Sequence, residues 1–110
     1  MTRNEAISFL QAHQPMPPDE LLTQELIDEY DSVVKFFKEY PEKEAIPLLL
    51  RSFGEWDCYG VYEMVKFALF KCVVEDVVLS LKVVLEDYSV PESVRYWATL
   101  LAGDFPDSRL

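Results

Sequence analysis

A chain of 110 residues and 12.8 kDa carries enough apolar surface for one domain core and no second one. Hydrophobic residues make up 50%, aromatics 14% and charged residues 27%, which excludes a disordered chain. Asp and Glu number 20 against 10 Lys and Arg, and the resulting charge of -10 repels phosphate backbones and anionic lipid, so direct nucleic-acid or membrane binding is not expected.

Thr2 with Glu5 three residues on is a capping-box pattern, and the spacing predicts a helix from Arg3 to Gln14 with Ala6, Phe9 and Leu10 as its apolar stripe. Pro15, Pro17 and Pro18 break it, because proline cannot continue the hydrogen-bond ladder. A second helix is predicted over Asp19 to Tyr40. Leu22, Leu26, Tyr30, Val33, Phe37 and Tyr40 recur there at spacings of three and four, and Pro41 ends it. Helices over 43–53, 60–72, 75–86 and 92–103 follow, which makes the fold class all-α with about six helices. Only 3 glycines are available, too few for a loop-rich sandwich or a phosphate-cradling loop. No apolar run approaches the roughly 18 residues of a membrane span, and no signal-peptide core follows Met1 to Glu5, so a cytoplasmic protein is expected. Cys58 and Cys72 are too few for a disulfide scaffold and are expected to be packing thiols.

The sequence resembles itself at a fixed offset. Glu44-Ala45-Ile46-Pro47-Leu48-Leu49 falls on Asp76-Val77-Val78-Leu79-Ser80-Leu81, and Val65 and Leu69 fall on Trp97 and Leu101. A repeated pair of short helices is the unit of an α-solenoid, in which each pair buries its apolar face only against its neighbours. Residues 1–40 are then expected to cap the first pair, with two helical hairpins over 42–110 and everything in a single domain 1–110. Val65, Leu69, Val78, Leu81, Leu85, Val94, Trp97 and Leu101 are the expected core of that stack.

Ile46-Pro47-Leu48-Leu49-Leu50 followed by Phe53-Gly54 resembles a HEAT-type repeat, and so does Pro91-Glu92-Ser93-Val94-Arg95-Tyr96-Trp97-Ala98 with Leu100, Leu101 and Ala102. In that family a first helix carries a proline and a second opens on a Val-Arg step. Phe105 to Leu110 resembles the start of a further repeat that does not continue, leaving an apolar end for a second copy to cover. Small acidic HEAT-like proteins resemble bacterial immunity proteins that neutralise polymorphic or contact-dependent toxins. A repeat scaffold does not fix function, so the chemistry of the side chains has to carry the rest.

Catalytic and metal-binding constellations are sparse. The single histidine, His13, suits the end of the first helix, and with Cys58 and Cys72 it lacks zinc-site spacing. No Gly-rich phosphate loop, serine elbow or HExxH motif occurs. The acidic pairs Glu75-Asp76 and Glu86-Asp87, and Asp104 with Asp107, suit helix starts and turns. No enzyme, metal, cofactor or small-molecule substrate is expected.

Two features ask for a partner. Glu25, Asp28 and Glu29 crowd one helix face with no basic neighbour, where like charges repel; Asp31 at least has Lys35 one turn on. The segment Phe53 to Tyr62 interleaves large rings with carboxylates. Trp56 and Tyr59 there either tuck back over a helix end or project as interface anchors. Stacked pairs align their turns along one edge, so Glu55, Trp56, Asp57, Tyr59, Tyr62 and Glu63 should join Glu86, Asp87, Tyr88, Glu92 and Arg95, with Lys66 nearby. The expectation is a non-catalytic immunity protein that blocks a basic toxin, a nuclease above all, by acidic occlusion of its active site. The alternatives are a HEAT-like adaptor for a non-toxin partner and, third, a small lyase-like enzyme.

Overall fold

The computed structural model describes residues 1–110 and contains six α-helices and no strand: α1 (Arg3–Ala12), α2 (Gln24–Glu39), α3 (Ala45–Leu50), α4 (Val61–Leu69), α5 (Val74–Glu86) and α6 (Glu92–Asp104). Thr2 caps α1 as the sequence predicts. Its hydroxyl accepts the Glu5 N–H at 3.2 Å, while its own N–H donates to Glu5 Oε1 at 2.9 Å. The second helix starts later than predicted. Asp19–Leu21 form a separate 3₁₀ turn, Leu22 is extended, and Thr23 caps α2 by accepting the Leu26 N–H. Because α2 stops at Glu39, Tyr40 falls outside the stripe assigned to it and is 56% exposed. Helix α3 spans only six residues and tolerates Pro47 because that position lies in its first turn, where the N–H has no intrahelical partner.

The helices stack in two layers. α3 packs between α1 and α5, α4 packs along α2, and the pairs α1–α2 and α5–α6 close across the layers. The N-terminal pair lies against α3 and α4, α1 on α3 and α2 on α4. A single core of 27 buried side chains draws on all six helices. Of the expected stack core, Val65, Leu69, Val78, Leu81, Val94 and Leu101 are buried, while Leu85 and Trp97 are half-buried against it.

Rings run through that core from α1 to α6. Phe9 stacks on Tyr30 at 6.0 Å, Tyr30 meets Tyr62 edge-on at 5.8 Å, and Phe53 bridges Tyr62 at 5.4 Å and Trp97 at 5.5 Å. Ser52, the one buried polar residue, gives its only hydroxyl proton to Leu49 O at 2.7 Å, so the fully buried Tyr30 hydroxyl must be the donor in its own 2.7 Å bond to Ser52 Oγ. His13 stacks on Phe9 at 4.2 Å and its Nδ1 donates to Phe9 O at 2.7 Å, a place in the α1 C-terminus that accounts for it fully.

Residues 105–110 do not begin another helix, contrary to the resemblance. They fold back: Phe105 is buried against Phe70 at 5.2 Å, and the Arg109 guanidinium straddles Glu75 at 2.7 and 2.8 Å while also holding Asp107. The tail therefore covers apolar surface that the sequence had left for a second copy.

Candidate functional site

The segment between α3 and α4 is built from the inside outward. Tyr62, in the first turn of α4, is 1% exposed, and its hydroxyl accepts the buried Gly54 N–H at 2.8 Å. Only glycine fits at 54, since a Cβ there would collide with Met16 O and stand 2.7 Å from the Tyr62 hydroxyl. Beyond Gly54 the chain enters the left-handed region four times in five residues, at Trp56 (φ 66), Cys58 (φ 49), Tyr59 (φ 52) and Gly60 (φ 93). Non-glycine residues in that region store on the order of 1–3 kcal/mol each and persist only where surroundings over-determine them.

Those surroundings are visible. Asp19 Oδ1 accepts the Cys58 N–H at 3.1 Å, Asp57 Oδ1 accepts the Tyr59 N–H at 3.1 Å, Trp97 Nε1 donates to Trp56 O at 3.1 Å, and Ser93 Oγ donates to Phe53 O at 2.9 Å. Cys58 is fully buried beneath the turn. Burial first, then Asp19 and Asp57, push its thiol up to about 12, so it stays protonated and is no nucleophile at neutral pH. Burial likewise raises the Tyr62 phenol well above its ordinary value.

What this clamp presents is Trp56, 72% exposed, and Tyr59, 70% exposed. The ring of Trp56 does not tuck into the core; only its carbonyl faces inward. The turn and the start of α6 enclose an open groove of about 1020 Å³ lined by Asp19, Gly54, Glu55, Trp56, Asp57, Glu63, Pro91, Glu92, Ser93, Tyr96 and Trp97. Five carboxylates (Asp19, Glu55, Asp57, Glu63 and Glu92) line it, and no Lys, Arg or His does. None of the five takes part in any ion pair of the molecule.

The structure thus brings together five of the residues expected at one rim, Glu55, Trp56, Asp57, Glu63 and Glu92, and separates the others; Tyr59 is exposed on the same turn but does not line the groove. Tyr62 is corrected from surface contact to internal strut, because it continues the Val65 and Leu69 stripe of α4 into the core. Arg95 is corrected as well. It lines no part of the groove, and its guanidinium donates to Leu85 O and Asp87 O, satisfying carbonyls at the α5 C-terminus. Glu86 at the end of α5 and Asp87 and Tyr88 in the turn after it lie outside the groove: Glu86 pairs with Lys82 at 3.4 Å, and Tyr88, 90% exposed, lies under the Arg95 guanidinium at 5.1 Å. Two hydrogen bonds from Ser89 hold the Asp87 carboxyl below its usual range. Lys66 is turned away to Asp104 at 3.9 Å. Glu25, Asp28 and Glu29 are all exposed on α2, where Gln24 Nε2 donates to Asp28 at 2.8 Å and no cation pairs with any of the three, whereas Asp31 meets Lys35 at 2.7 Å.

Sequence reasoning missed Asp19, Tyr96 and, as a groove residue, Trp97. Glu92 and Tyr96 lie one helical turn apart on α6, a spacing that puts both on one face. Asp19 carried no local signal, since only the fold brings the 3₁₀ turn under residue 58. No group of three or more His, Cys, Asp or Glu side chains is placed to hold a metal ion, and no helix is long and apolar enough to cross a membrane. Comparison with protein-family models, curated proteins and solved structures finds no match.

Proposed function

We propose that this chain is a non-catalytic inhibitor of the immunity type, which occupies the basic active-site cleft of a protein toxin with its acidic, ring-lined groove. The observation that supports this is the concentration of five unpaired carboxylates around the exposed ring of Trp56, with Tyr59 exposed outside the groove on the same turn, whose strained backbone is fixed from below. A nuclease needs positive potential where it grips a phosphate chain. An acidic partner is steered to that potential from a distance and is then held by rings desolvated at the centre of the contact. Preformed anchors lose little entropy on docking, which is the use a strained and rigid turn has in such a protein. Its place of action would be the cytoplasm, where a nuclease finds its substrate.

The test is co-expression with a panel of cytotoxic basic nuclease domains, scoring growth. Wild type should rescue against a cognate member, and charge reversal at Glu63 and Glu92 should abolish rescue while leaving the helical circular-dichroism spectrum intact. Rescue that survives both reversals contradicts the proposal. An adaptor role is the second reading, and one observation favours it: Phe67, Phe70, Val73 and Val74 are 43–65% exposed outside the groove, giving a second surface for a second partner.

A further inference from the structure

The charge of the groove explains attraction but not its rings. Trp56 and Tyr96 are 72% and 61% exposed, and Trp97 is fixed between Phe53, on which it stacks at 5.5 Å, and Tyr96, which meets it at 88°. The indole N–H of Trp97 is already given to Trp56 O, so it offers a ligand no hydrogen bond, only ring surface.

Elsewhere on this protein, two exposed rings have cations of their own, while Tyr40, Tyr59 and Phe70 are exposed without one. Phe67 has Lys38 and Lys66 at 6.0 and 5.5 Å, and Tyr88 has Arg95 at 5.1 Å. The three groove rings receive none from the chain, although five carboxylates and no basic residue line the groove with them.

From this we infer that the groove is a guanidinium receptor: it takes an arginine side chain of the bound partner rather than reading positive charge alone. The inference rests on the inhibitor reading above for the nature of the partner. A guanidinium is flat, weakly hydrated and carries five N–H donors in its plane. Rings can therefore cover its faces while carboxylates accept along its edges. Glu55, Asp57, Glu63 and Glu92 supply such acceptors beside Trp56, Tyr96 and Trp97. A lysine ammonium matches the charge but not the flat face, and holds its water more tightly. At about 1020 Å³ and open to solvent, the groove accommodates a side chain together with the segment that bears it.

The molecule carries its own reporter, because its only two tryptophans, Trp56 and Trp97, both line the groove. Intrinsic fluorescence is titrated with three short Gly/Ser peptides that differ at one position, bearing arginine, lysine or the neutral isostere citrulline. Arginine should bind about fivefold or more tightly than lysine, and citrulline should leave the spectrum unchanged. Trp56→Leu keeps every carboxylate and leaves Trp97 as reporter; it should bring arginine down to the level of lysine, with folding checked by circular dichroism. Equal binding of arginine and lysine, binding of citrulline, or no response to any peptide overturns the guanidinium assignment. The inhibitor reading is judged separately by growth rescue: lysine and arginine binding alike while rescue persists would remove the arginine preference and leave occlusion standing.

Discussion

Tyr62→Phe removes a single oxygen, and the fold says where the loss is felt. The phenol accepts the Gly54 N–H at 2.8 Å, Gly54 is buried, and no other acceptor bonds that N–H. A buried amide left without a partner costs roughly 1–3 kcal/mol, while the ring itself keeps its edge contacts with Phe53 and Trp97. Unfolding entropy of about 2.1 cal/mol/K per residue gives about 0.23 kcal/mol/K for a chain of this length, so a central cost of about 2 kcal/mol lowers Tm by about 9 °C. Thermal unfolding followed by far-ultraviolet circular dichroism reads the shift. Hydrogen exchange at the Gly54 amide should quicken more than at amides of α1. A Tm within about 2 °C of wild type, with Gly54 protection unchanged, would refute the assignment of Tyr62 as an internal strut and return it to the surface role its position in an aromatic-rich segment suggests.

Ser52→Ala should cost more than Tyr30→Phe, because it strands a buried hydroxyl proton whereas the other change leaves Ser52 bonded to Leu49; the double variant should recover about 1 kcal/mol relative to additivity, read by denaturant midpoints. Arg109 hydrogen bonds hold the Glu75 and Asp107 carboxyls below their ordinary values of 4.5 and 3.8, so the stability they confer is present above that range and fades as pH falls through the depressed values. Arg109→Ala should therefore lower Tm at pH 7, with the difference from wild type shrinking below about pH 4; a gap independent of pH would contradict the latch. With its thiol buried and pushed up to about 12, Cys58 should stay unlabelled by a thiol reagent at pH 8 until urea unfolds the chain, leaving Cys72 as the slow site in the native protein. Trp56→Ala should leave Tm nearly unchanged, since the ring is 72% exposed, while weakening any partner through the groove.

Local signals made most of the fold legible from sequence. Thr2 with Glu5, the proline run after α1, and the three-and-four spacing of α5 and α6 each act within a turn or two of chain. The self-similarity of 44–49 and 76–81 gave the stacking of α3 on α5. The start of α2 was misplaced because Asp19 and Glu20 look like a helix start, whereas Thr23 is the residue that caps. Half of the site was legible for a similar reason: carboxylates and rings lie consecutively along 55–57, and Glu63 follows on α4. Asp19 and Trp97 join them only through contacts spanning about 40 residues, and the role of Arg95 depends on which carbonyls α5 leaves at its end. Tyr62 was readable, since its spacing to Val65 and Leu69 is that of a buried stripe.

The most direct trial of the account is stopped-flow association with a nuclease domain against which the protein rescues growth, at low and high ionic strength. Docking through five unpaired carboxylates predicts an association rate that falls at least tenfold between dilute buffer and about 0.5 M salt, and a much flatter dependence after Glu63→Gln with Glu92→Gln. A rate indifferent to salt, or a slope that those two substitutions leave unchanged, would show that the partner is held by some other face of the molecule.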